Sequence, residues 1–214
     1  MRIKKTKKSK IKNTIVEHIT NNKKEYIIIC LMFVIGIFLG VLFINNSDEN
    51  TKEEISKYLG DGINEIKQSE KINYIEILKT SILNNLKLAL ILWFLGTTIV
   101  GIPLVFGVII YKGFCLGYTI SALVIVLGNT NGIIFVLIAL LFQNILAIPA
   151  TIALGVSCFK LYKSIIQDRR RENIKIEIIR HTIFSLIMAI ILIISSIIEA
   201  FITTNGIILI ANYF

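Results

Sequence analysis

Four stretches of this chain are long enough to cross a bilayer and almost free of charge. Tyr26–Ile44 is 19 residues, Leu88–Tyr111 is 24, Ile133–Phe159 is 27, and Thr182–Ile202 is 21 with one carboxylate, Glu199. At about 1.5 Å per residue, roughly 20 apolar residues span a hydrocarbon core about 30 Å thick. Backbone in lipid must satisfy its own hydrogen bonds, so such runs form helices. A fifth run, Phe114–Leu127, has only 14 residues. Charged residues make up 17% of the 214, against about 25% in a soluble domain. These features predict an all-α fold: a polytopic integral membrane helix bundle of about five spans, with proline-broken helices.

Lys and Arg counts in the loops set the threading. Residues 1–25 form a basic N-terminus with nine Lys or Arg, and 26–44 is the first span. Residues 45–86 form a loop with five basic and eight acidic residues. The multispan core, 87–202, places spans at about 88–111, 114–127, 133–159 and 182–202, with seven basic residues in the loop 160–181. The tail 203–214 carries no charge. Alternating sides puts the N-terminus in the cytoplasm and the C-terminus outside, with Lys112 in a short cytoplasmic joint. Four spans with a re-entrant segment is the alternative, because Phe114–Leu127 is short. The first run is read as a retained span, since its leader is long and no small-residue cleavage pattern follows. The net charge of +9 is accounted for by basic clusters facing anionic lipid, so the bilayer is the partner it implies and nucleic acid is not.

In the exterior loop, Thr51 and Glu54 match a capping box. Ile55, Tyr58, Leu59, Ile63 and Ile66 then recur at helical spacing, with a weak point at Asp61–Gly62. A second stripe, Ile75, Leu78, Ile82 and Leu86, runs into the second span. About 40 residues without staples do not make an independently folded enzyme. The loop offers a surface, for the protein's own helices or for an extracellular partner.

Chemistry is sparse. Cys30, Cys115 and Cys158 sit inside apolar runs and read as small buried hydrophobes. His18 and His181 are juxtamembrane. Neither a phosphate loop nor a nucleophile–base set is legible, so the chain is predicted to be no enzyme and to hold no metal or cofactor. Glu199 is the one ionisable residue within a span, and such a residue is a functional candidate by default. Gln143 and Asn144 fall near the middle of their span, where amides usually bond to another helix. Pro149 withholds a donor from the carbonyl of Ile145, and Pro103 does the same to Ile99. With Thr97 and Thr98 nearby in sequence, the two broken spans are expected to meet and satisfy each other. Gly101 precedes Pro103, and Gly36/Gly40 and Gly113/Gly117 are small-xxx-small pairs that bring helices close, within one chain or between copies.

"LWFLGTTIVGIPLVF" (Leu92–Phe106), "YKGFCLGYTI" (Tyr111–Ile120), "FQNILAIPATIALG" (Phe142–Gly155) and "IEAFIT" (Ile198–Thr203) together resemble the conserved blocks of the stage II sporulation protein M family. Where that family tends to have Pro-Gln-Asn, this chain has Phe142-Gln143-Asn144. The resemblance implies a multispan scaffold of the spore engulfment machinery, in the mother-cell septal and engulfing membrane. It also implies two partners, stage II sporulation proteins D and P, which degrade peptidoglycan. The other reading of the proline-broken spans is a small transporter or channel with a polar site at the midplane.

Overall fold

The computed structural model describes residues 20, 22–68, 73–98, 100–167 and 171–211. Within them the chain is helical: α1 (Lys23–Asn45), α2 (Glu49–Gln68), α3 (Tyr74–Gly96), α4 (Gly101–Leu127), α5 (Asn129–Gln167), α6 (Arg171–Ile198) and α7 (Thr204–Ala211). A π-helical segment, Glu199–Thr203, joins α6 to α7. Five helical stretches are long and apolar enough to cross a membrane: Lys23–Asn45, Tyr74–Gly96, Gly101–Leu127, Phe142–Ile166 and Ile174–Ile208. The count of five stands, but the boundaries move.

The run 88–111 is not one span. It breaks at Thr97–Val100, where the Thr97 and Thr98 hydroxyls donate to the carbonyls of Phe94 and Leu95 at the end of α3. Pro103 lies in the first turn of α4, where a missing N–H removes no intrahelical bond. The carbonyl of Ile99 lies outside the described residues. Gly101 is required at the turn, because a methyl there would overlap the Leu95 carbonyl. The expected joint at 111–113 does not exist. Helix runs through it, so Phe114–Leu127 is the second half of one 27-residue span and no re-entrant pair forms.

The next turn is a single residue. Gly128 has φ +79°, a left-handed conformation that glycine adopts freely, and α5 begins at once at Asn129. Helix α5 is 39 residues, about 58 Å, and continues through Pro149, whose ring faces outward. Its first turns project past the span and join the end of α4 in a small apolar cluster. Leu123, Phe135 and Ala139 are buried there, with Leu59 of α2 and Ile207 of α7 packed on them.

Helix α2 starts three residues earlier than the capping box predicts. Asp48 takes the capping role, accepting from the Thr51 hydroxyl at 2.5 Å. That bond holds the Asp48 carboxyl below its usual range. Asp61–Gly62 does not break α2, whose packing on α4 and α7 offsets the weak propensity. The side chains of Ile63 and Ile66 lie outside the described ones.

The main core joins α1, α3, α4, α5 and α6 around Ile29, Leu92, Val105, Ile109, Leu154 and Leu192. Helices α1 and α4 run parallel and touch backbone to backbone. Gly36 and Gly40 face Ile110, Phe114 and Tyr118, while Gly113 and Gly117 face Phe33 and Ile37. Both glycine pairs are thus spent inside the chain. At the end of the bundle that carries the basic loops, Lys163 of α5 donates to Glu25 of α1 at 2.7 Å.

Candidate functional site

Helices α3, α5 and α6 share a polar cluster toward the end of the bundle opposite Lys163. Its centre is Glu199, at the start of the π segment. Gln143 Nε2 donates to Glu199 Oε2 at 2.6 Å, and the Ser81 hydroxyl donates to the same oxygen. Ser195 Oγ donates to the Gln143 backbone carbonyl at 2.8 Å. One turn deeper, Asn85 Nδ2 donates to Ser196 Oγ at 2.8 Å and to the Leu192 carbonyl at 3.3 Å. The Thr204 hydroxyl donates to the Glu199 carbonyl at 3.1 Å, where five-residue repeat bonding has displaced the α-helical ladder. Such π segments concentrate at functional positions.

Two sequence expectations fail here. Gln143 and Asn144 do not sit mid-span, because α5 is longer than the bilayer and its crossing part begins at Phe142. Thr97 and Thr98 do not meet them. Gly96 packs on Cys158 and His181 at the basic end, whereas Gln143 is level with Ser81. Asn144 also turns back on its own helix, donating to the Leu140 carbonyl at 2.8 Å. Of the eight candidates, Gln143 and Glu199 meet. Gly113 and Gly117 build the α1–α4 contact, Gly101 and Pro103 shape the α3–α4 turn, and Asn144 and Pro149 stand apart.

A difference between two amides follows. Gln143→Leu is expected to lower the stability of the solubilised protein by about 0.6–2 kcal/mol, the range for one interhelical hydrogen bond. Asn144→Leu should be nearly neutral. Melting of the two variants in one detergent checks this, and equal losses would contradict the bonding described.

The structure adds residues that the loop assignments hid. Ser81 and Asn85 belong to α3, a membrane-crossing helix, and not to an exterior loop. Lys112 lies eleven residues past Gly101, about 16 Å along a 27-residue helix, and so inside the crossing stretch of α4 and not in a loop. It is half-buried, and its charge reaches Glu199 without forming a direct ion pair. The too-short run 114–127 was the sequence signal for it. Lys87 is nine residues from Gly96, about 14 Å, in the middle of α3. With Asn84 it faces outward, and neither side chain bonds to a described residue.

His181 is buried between helices. Its Nδ1 is 2.8 Å from the Ser157 hydroxyl and its Nε2 is 3.4 Å from the Trp93 carbonyl. This closes α3, α5 and α6 together at the basic end, as the polar cluster does at the other. Cys158 Sγ donates to the Leu92 carbonyl at 3.2 Å, while Cys30 is exposed on α1. His18 lies outside the described residues.

Five apolar helices of crossing length, bolted together by interior amides, hydroxyls and a carboxylate, define a polytopic integral membrane protein. The chain belongs to the stage II sporulation protein M family, whose profile matches residues 29–204 and includes every residue of the polar cluster. Neither the curated proteins nor the solved structures contain a match.

Proposed function

We propose that this protein is a non-enzymatic membrane scaffold. It holds peptidoglycan-degrading enzymes, stage II sporulation proteins D and P, at the septal and engulfing membrane during endospore formation. The observation that carries the reading is how the polar groups are distributed. Asn85, Gln143 and Ser195 bond between the chain's own helices, whereas Asn84 and Lys87 face outward at mid-span. A lysine facing hydrocarbon costs about 2.5–3.5 kcal/mol on insertion scales, a cost that a partner helix carrying a carboxylate would offset.

The basic end lies in the cytoplasm on this reading. It has nine basic residues before Tyr26 and seven in 160–181, against five in 45–86, with Lys87 and Lys112 inside spans. The loop helix α2 then lies outside, where the wall-degrading enzymes work, and the chain itself breaks no bonds.

Affinity capture from sporulating cells is expected to recover both enzymes, and Lys87→Leu to reduce that recovery while insertion stays normal. Correctly inserted protein that recovers neither enzyme overturns the proposal. A transporter is the competing reading, favoured by the nearness of Lys112 to Glu199 inside the spans. Solute flux in vesicles holding this chain alone would select it.

A further inference from the structure

A second polar site lies outside the cluster, between α5 and α6 at the basic end. There Lys160, Glu177 and Arg180 ring the mouth of a half-open hollow of about 230 Å³. That is below the roughly 300–1,000 Å³ of pockets enclosing a whole drug-sized ligand, and suits a headgroup. Ser157 and His181 form its back wall and are already bonded to each other. Its floor is apolar. Ile183 and Ile187 line it and are 55% and 48% exposed, so they face the acyl chains on a membrane-crossing helix.

Cations stand at one end of the hollow, with an open hydrocarbon track leading from them into the bilayer. We infer that this hollow binds the phosphate of an anionic phospholipid, with Lys160 and Arg180 as donors and the lipid's acyl chain along Ile183 and Ile187. Basic pockets between membrane helices take acidic headgroups in this way. Lys160 bonds to no described residue and its ammonium is free to engage. Arg180 is held at 2.5 Å by Glu177, and its exposed guanidinium keeps donors to spare for a phosphate. Glu177 is therefore the site's own competitor: its carboxylate occupies part of the donor set and repels the ligand. The apolar floor selects a lipid over a soluble phosphate, because only a lipid covers both parts.

The full-length protein is reconstituted in vesicles of phosphatidylcholine alone, or of equal parts phosphatidylcholine and phosphatidylglycerol. Lipid retained on the purified protein is then read by native mass spectrometry. Wild type is expected to retain phosphatidylglycerol preferentially. Lys160→Gln and Arg180→Gln should each lower that retention about fivefold, the equivalent of roughly 1 kcal/mol per basic group at a membrane surface. Glu177→Gln should raise it, an increase that loss of a merely structural Glu177–Arg180 pair would not give. Lys57→Gln, on α2, tests net charge and should change nothing. The inference is overturned if Lys57→Gln lowers retention as much as Lys160→Gln. It is overturned too if Glu177→Gln fails to raise retention, or if inorganic phosphate displaces phosphatidylglycerol from the protein in the mixed vesicles. These outcomes are independent of enzyme capture, so the scaffold proposal and the lipid site fail separately.

Discussion

Valine at Gly36 and Gly113 together is expected to prevent this protein from assembling into a stable bundle. A methyl built on Gly36 overlaps the carbonyl of Ile110, and one on Gly113 overlaps the carbonyl of Phe33. The obstacles are backbone atoms of the facing helix, so no side-chain rotation relieves them. Helices α1 and α4 must separate by the thickness of the added groups. Water supplies no hydrophobic force between helices in lipid, so their association rests on this close packing. Overpacking costs about 1–3 kcal/mol per site where side chains can shift, and rigid obstacles at two sites put the sum at or beyond the upper figure. The loss spreads, because Ile29 and Phe33 of α1 also fill the main core beside Leu154 and Ile109. Size-exclusion profiles and melting in detergent measure the effect, with Gly60→Val as the control, since nothing lies within 4 Å of a methyl there. A double variant as monodisperse and heat-stable as the control would refute the packing of α1 on α4.

The sequence carried the number of spans and the glycine pairs. Both depend on lipid's two general demands, a full hydrophobic length and close backbone approach. It did not carry where the spans begin. Charge-free runs mark helix boundaries only if every charge lies outside the bilayer, and Lys87 and Lys112 break that rule. Counting them as loop residues cut α4 in two and moved Ser81 and Asn85 out of the membrane. The break at Thr97–Gly101 was legible in principle. A Thr-Thr pair followed by Gly-x-Pro is a stop and a start, with hydroxyls covering the last carbonyls and proline in the next first turn. Inside a 24-residue apolar run those residues read as a kink. The Gln143–Glu199 and Ser157–His181 contacts join residues 56 and 24 apart, and only the antiparallel packing of α5 on α6 brings them level.

Lys112 and Glu199 are expected to be coupled, so that removing both charges costs less than removing each alone would suggest. Glu199 already accepts from Ser81 and Gln143 at one of its oxygens, and these neutral donors do not balance its charge. Lys112, on the neighbouring helix α4, is the cation within reach. In a medium that screens weakly, a pair need not touch to interact. Lys112→Met leaves the carboxylate with neutral donors only. Glu199→Gln keeps a side chain of the same shape for Gln143 and Ser81 but strands the ammonium within the span. Each single change is therefore expected to destabilise the bundle, and the double change to recover part of the loss. The coupling should fall in the range of about 1–3 kcal/mol seen for residues sharing a buried network. The four proteins of this cycle are melted side by side in one detergent, with Lys175→Met, exposed in the first turns of α6 at the opposite end of the bundle, as a charge control. Strict additivity would mean that Lys112 reaches water or headgroups on its own, and that the carboxylate's neutral donors suffice. Coupling would instead make the pair the electrostatic centre of the bundle, placed where α4 meets the helices that carry the polar cluster.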